Sequence, residues 1–171
     1  MDIHKYCLSP VSCIGWLLLI TLVMAGCPSK AIQYPEEHDR LLRLDQALES
    51  LRSAYQRKDR SAFHSLLLPQ DQMEELQRQA EMDFETFHAI TLEFKIERVM
   101  MNKDDIDVFV NWQGNWKKDA NDAGLWQRGH ARLQWAGAPS ILLRGVEGDL
   151  PFGMKTKQLL SETPPPQAPP Q

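Results

Sequence analysis

The stretch Ile90-Thr91-Leu92-Glu93-Phe94-Lys95-Ile96-Glu97 alternates apolar and polar residues without a break. Successive side chains of an extended strand point to opposite faces, so a period of two predicts a strand with one dry face and one wet face. Leu92, Phe94 and Ile96 are expected to face the interior, and Glu93 and Lys95 the solvent. The chain before this stretch has a different period, and that switch decides the fold class.

Upstream, Leu41, Leu44, Leu48, Leu51 and Tyr55 recur at steps of three and four. That spacing places them on one face of an amphipathic helix. Pro35 suits its first turn, and Glu36, Glu37 and Asp39 suit its positive end. Lys58-Asp59-Arg60 breaks the pattern, and Asp59 can cap a second, shorter helix that reaches Leu68 before Pro69. A third helix is expected from Asp71, with Glu74 completing a capping box and an apolar stripe of Met73, Leu76, Ala80, Phe84 and Phe87. Its carboxylates, Asp71, Glu74, Glu75, Glu81, Asp83 and Glu85, read as a solvated face, with Glu74 paired to Arg78 one turn on.

Downstream, Asn102-Lys103-Asp104-Asp105 makes a turn into a second strand with Ile106, Val108, Val110, Trp112 and Trp116 on one side. A polar loop, Lys117 to Gly124, leads to a third strand, Leu125 to Trp135. There Ala131, Leu133 and Trp135 oppose Arg128, His130 and Arg132. Ile141 to Val146 supplies a fourth strand. The fold class expected is α+β, with three N-terminal helices packed on a curved four-stranded antiparallel sheet. Ser161 to Gln171 is Pro-rich, so residues 154–171 are expected to form a disordered, extended tail.

The N-terminal flank carries a different signal. Ile14 to Met24 is apolar apart from Gly15 and Thr21, which is too short to span a membrane and long enough for the core of a signal peptide. It runs into Val23-Met24-Ala25-Gly26-Cys27, which resembles the lipobox of bacterial lipoproteins. The resemblance implies a signal peptide over residues 1–26, cleavage after Gly26 and acyl chains on Cys27. It also implies location in the cell envelope, anchored in the outer membrane facing the periplasm, since no Asp follows Cys27. The other cysteines, Cys7 and Cys13, lie in the removed segment, which leaves no thiol for a disulfide, a metal or a nucleophile. Residues 27–35 would then be a tether and 36–153 the folded domain.

The whole chain holds 19 basic and 23 acidic residues, a net charge of −4, with no basic patch that would favour nucleic acid. The element order gives a second resemblance. Tyr55-Gln56-Arg57-Lys58-Asp59-Arg60-Ser61-Ala62-Phe63, then a long helix, then a meander closing on Gly148-Asp149-Leu150-Pro151-Phe152-Gly153, resembles the nuclear transport factor 2-like (SnoaL-like) superfamily. That implies a cone of sheet wrapped around helices, with a pocket. The chain differs in showing no strand between its second and third helices.

Candidate sites are few. His38, His64, His88 and His130 are dispersed and share no metal-ligand spacing, so no metal, cofactor or catalytic residue is expected. Trp112, Trp116, Trp126 and Trp135 either fill the core or line an apolar pocket. Arg128, His130 and Arg132 either form an exposed sheet face or meet an anionic ligand. The chain is therefore expected to be a non-enzymatic, lipid-anchored binding or accessory module, with the membrane and an envelope protein as partners. The alternative is a small pocket enzyme or a carrier of an apolar ligand. His130 would be the acid-base group of such an enzyme if it lay buried against Asp104, Asp105 or Asp107.

Overall fold

The computed structural model describes residues 35–137 and 140–162. The signal segment, Cys27, the tether up to Tyr34 and the Pro-rich residues after 162 lie outside them. Three helices come first: α1 (Pro35–Gln56), α2 (Arg60–Ser65) and α3 (Asp71–Thr86). Four strands follow, β1 (Ala89–Asn102), β2 (Asp105–Lys117), β3 (Leu125–Ala136) and β4 (Leu142–Gly148), then a last helix, α4 (Met154–Glu162). The strands form one antiparallel sheet in the order β1-β2-β3-β4, the meander expected from the chain. The α+β class is confirmed.

One sheet face and the helices share the core. Leu44, Leu48, Leu51 and Tyr55 of α1 and the α3 stripe Met73, Leu76, Ala80 and Phe84, with Phe87 just beyond it, are buried, as their spacing requires. From β2, Ile106, Val108, Val110, Trp112 and Trp116 are buried, and from β3, Ala131, Leu133 and Trp135. Tyr55, Phe63, Phe84 and Phe152 pack as one aromatic cluster, with Tyr55 and Phe152 edge to face at 4.9 Å. Each such side chain contributes roughly 1.5–3 kcal/mol on burial.

The strand that fixed the class is only partly inward. Leu92 is fully buried, Phe94 is half-buried and packed against the core, and Ile96 stays 38% exposed on the same side, paired with the inward Val110, so the expected face is right but its cover thins along β1. Beyond Ile96 a bulge before Arg98 slips β1 against β2, and the inward positions change parity to Val99 and Met101.

Two helix ends also differ from expectation. Asp59 caps α2 through the Ala62 N–H at 2.9 Å, but the helix stops at Ser65 rather than Leu68. Leu66 and Leu68 leave it to exchange backbone hydrogen bonds with Leu143, each 2.8 Å, forming a parallel bridge at Leu67. That bridge is a one-residue version of the strand missing from the sequence reading. At α3 the capping residue is Gln70, which makes no side-chain cap and donates instead to the Arg144 carbonyl, so the Asp71–Glu74 capping box is not formed. Arg78 pairs with Glu75 at 2.7 Å, not with Glu74.

The folded domain does not end at residue 153. Residues 154–162, expected to be tail, form α4, and Met154 is 1% exposed.

Candidate functional site: the open face of the sheet

The sheet face turned away from the helices carries a polar grid. Pairing places Glu93 beside Gln113 and Gln113 beside Arg128. The next row is Lys95, Asn111 and His130. Strand alternation sends these six side chains to the side opposite the buried Val110, Trp112 and Ala131. They line a groove of about 640 Å³, which also borders Phe94, Trp112 and Gly129 at the inward positions between them and Asp149 in the turn after β4.

The turn after β4 is fixed against the sheet at this level. The Asp149 N–H donates to the His130 carbonyl at 2.9 Å, and the Trp112 indole N–H donates to the Asp149 carbonyl at 2.7 Å. This close approach requires Gly129, because a β-carbon there would lie 2.6 Å from the Asp149 Cβ and 2.9 Å from the Trp112 ring. Trp112 therefore works twice on the inner side of the sheet: its ring is core, and its N–H fixes the turn after β4.

Within the groove some polar groups are committed and others are not. Gln113 donates to Glu93 at 2.7 Å, and Asn111 donates to Glu97. Lys95, Arg128 and His130 make no side-chain hydrogen bond or ion pair with another described residue. One neighbour on the same face is different: Arg132 is held by Asp107 at 2.8 Å and Glu147 at 3.1 Å. The trio expected from sequence is thus split, with Arg132 locked and Arg128 and His130 free. His130 is exposed rather than buried against Asp104, Asp105 or Asp107, and the last of these is occupied by Arg132. One row beyond Arg128, Trp126 lies beside Asn115 and is 67% exposed. It is set apart from Trp112, Trp116 and Trp135, which fill the core.

A second polar cluster lies inside the domain, and the sequence reading missed it. Asp83, expected on a solvated face, is fully buried. Its carboxylate accepts the Tyr55 hydroxyl at 2.5 Å and the backbone N–H groups of Gly153, Met154 and Lys155 at 2.7, 3.0 and 2.7 Å. Tyr55 in turn accepts the Trp116 indole N–H at 2.9 Å. Burial pushes the Asp83 carboxyl up from its ordinary range, against the opposing pull of Tyr55 and the three N–H donors. Burial, and then the neighbouring Asp83, push the Tyr55 hydroxyl well above its ordinary value, so it keeps its proton and donates. The arrangement is a helix cap supplied from far along the chain: Asp83 satisfies the first N–H groups of α4. Gly153, at φ +74°, turns the chain so that those groups converge on it.

Of the other histidines, His38, His64 and His88 are exposed. Among the described residues, no group of three His, Cys, Asp or Glu is placed to hold a metal ion. Among the same residues, no helix is long and apolar enough to cross a membrane. Cys27, the expected site of lipid attachment, lies outside them.

No family model and no curated protein matches the chain. Solved structures do. A nuclear transport factor 2-like superfamily protein from Salmonella enterica aligns with a TM-score of 0.56 at 11% identity, over 71% of this chain and 94% of its own. A candidate dehydratase of the same family from Streptomyces avermitilis gives 0.57 at 14% identity, over 66% and 98%. A conserved protein from Planctomyces limnophilus gives 0.55 at 15% identity, over 66% and 99%. The fold is therefore the nuclear transport factor 2-like fold expected from the element order. At these identities the likeness speaks for the fold alone.

Proposed function

We propose that this chain is a lipid-anchored protein of the cell envelope that works by binding, through the open face of its sheet, rather than by catalysis. The observation that carries the binding half is the contrast between its two polar clusters. The buried acid-base pair, Tyr55 and Asp83, is used up in closing the fold. The uncommitted donors Lys95, Arg128 and His130 stand together in an open groove. Catalysis at Tyr55 and Asp83 would require a substrate to pass Trp116 and Phe152, which are 0% exposed. An apolar-ligand carrier would require space where the Tyr55–Phe63–Phe84–Phe152 cluster now packs.

The envelope half rests on the lipobox residues Val23 to Cys27 and on the acyl chains they imply. Each buried CH₂ of such a chain is worth ~0.8 kcal/mol, which suffices for firm anchoring when more than one chain is attached. With no Asp after Cys27, the outer membrane facing the periplasm is the leaflet assigned.

Fractionation tests the anchor. The wild-type chain should pellet with membranes through a high-salt wash, and the mass of its N-terminal peptide should show acylated Cys27. The Cys27→Ser chain should be soluble and folded. A Cys27→Ser chain that stayed on membranes would overturn the lipoprotein reading.

A further inference from the structure

We infer that the open-face groove holds a single phosphate group, presented by a soluble phosphate ester and gripped by Lys95, Arg128 and His130. The inference rests on the reading that this face is the binding face, and it supplies the chemical class of the ligand.

Charge sets the class. The chain carries 23 acidic residues against 19 basic ones, yet these three basic side chains have no carboxylate partner among the described residues. Glu93 and Glu97 flank Lys95 along β1, and both are engaged by carboxamides instead: Glu93 accepts from Gln113 at 2.7 Å and Glu97 accepts from Asn111. Asp149 does not answer the charge either. Its Cβ lies 2.6 Å from where a β-carbon on Gly129 would stand, on the inner side with the Trp112 ring. Arg132, one row on, shows the alternative, held by Asp107 at 2.8 Å and by Glu147 at 3.1 Å. Cationic groups left without counter-ions in an acidic chain select an anion.

Geometry selects which anion. Lys95 and His130 share a row two strands apart, about 10 Å between backbones, and Arg128 precedes His130 by two residues, about 7 Å. The long stems of Lys95 and Arg128 can lean over β2, so an ammonium, a guanidinium and a ring N–H can converge above Asn111 and Gln113. A phosphate monoester presents three free oxygens, one for each donor. A carboxylate has two and leaves one cation without an oxygen of its own.

Extent decides the source. Glu93, Glu97 and Glu147 are exposed around the three cations. An anionic bilayer or an acidic peptide laid across the face would meet those carboxylates, whereas one compact phosphate fits between them. The groove, about 640 Å³, leaves room for the organic part of a small ester.

The test is calorimetric titration of the full chain, in a neutral detergent, with inorganic phosphate, phenyl phosphate and malonate. Alongside it, the Cys27→Ser chain is sedimented with phosphatidylglycerol vesicles. Saturable binding of both phosphate probes is expected, with malonate severalfold weaker and no binding to the vesicles. Lys95→Ala and Arg128→Ala should each weaken phenyl phosphate by about tenfold, because each removes a charge-assisted hydrogen bond. Both side chains are exposed, so both variants should stay folded by circular dichroism. Arg78→Ala makes the same charge change on α3, where Glu75 holds the guanidinium, and should leave the affinity unchanged. Absence of binding to both phosphate probes by a folded chain would overturn the inference. Phosphate binding that survives both Lys95→Ala and Arg128→Ala would overturn it as well, as would malonate binding as tightly as phenyl phosphate. If malonate or the vesicles bound in an Arg128-dependent way and neither phosphate probe did, the face would remain a binding face and only the phosphate class would fall. Failure of every probe would count against the binding face too.

Discussion

Trp116 and Trp126 sit near the same end of the sheet, on neighbouring strands, and have opposite fates. Trp116 is 0% exposed and donates its indole N–H to Tyr55. Trp126 is 67% exposed, on the face that carries Arg128 and His130. The comparison extends to the whole of each face. On the inner side most polar groups are tied in: Asp83 collects four donors, Tyr55 both gives and accepts, and Trp112 reaches Asp149, while the Trp135 indole N–H is buried without a partner among the described residues. A buried polar group without a partner costs about 1–3 kcal/mol, which is why the ionisable pair there is so fully engaged. On the outer side water satisfies the exposed groups at no cost, and Lys95, Arg128 and His130 are left open. Polarity inside this domain builds its shape; polarity outside is available to a ligand.

The largest expected effect attacks the inner side. Asp83→Ala strands the Tyr55 hydroxyl and the first N–H groups of α4 and should destabilise the fold by about 3–5 kcal/mol in chemical denaturation. A loss under about 1 kcal/mol would mean that water replaces the carboxylate and the inner side is not dry. Gly129→Ala attacks the seam between the faces. Its new methyl group would meet Asp149 and Trp112, so a loss of about 1–3 kcal/mol is expected, with altered Trp112 fluorescence. Phe94→Ala lies between the two regimes. Because Phe94 is half-buried, roughly 1–2 kcal/mol is expected in place of the ~3–5 of a full core phenylalanine. The smallest effect belongs to the outer side: Trp126→Ala should change stability by no more than about 0.5 kcal/mol. A large loss there would show that Trp126 is a packing residue and would erase the contrast.

How much of this was legible in the sequence follows the same divide. Alternation in β2 and β3 named the buried residues correctly, because a sheet buried on one side leaves a clean period of two. In β1 the parity change from Ile96 to Val99 and Met101 was written in the chain, yet a bulge is recognisable only once a partner strand shows the slip. Asp83 was hidden by its company of carboxylates. Its position was the available signal, since Met73, Leu76, Ala80, Asp83 and Phe87 step by three, four, three and four, so it lies on the apolar stripe. The residues that complete its cage, Gly153 to Lys155, are about 70 positions away, and no local pattern announces such a meeting. Helix α4 was masked by the prolines beyond it, although the run from Met154 to Leu160 contains none. The groove was half visible: Arg128 and His130 were placed on the outer face, but the split from Arg132 depends on Asp107 and Glu147 across two strand pairings.

The cap on α4 also bears on how the chain matures. A carboxylate fixed in α3 waits for three peptide groups that are made some 70 residues later. Until they arrive, Asp83 and Tyr55 cannot be enclosed without stranding their polar atoms, so the nascent chain has reason to remain open. A copy cut short before Gly153 would keep that defect permanently and stay exposed to proteases. The tie thus doubles as an inspection step: it lets the interior seal only around a chain that has been made as far as Lys155.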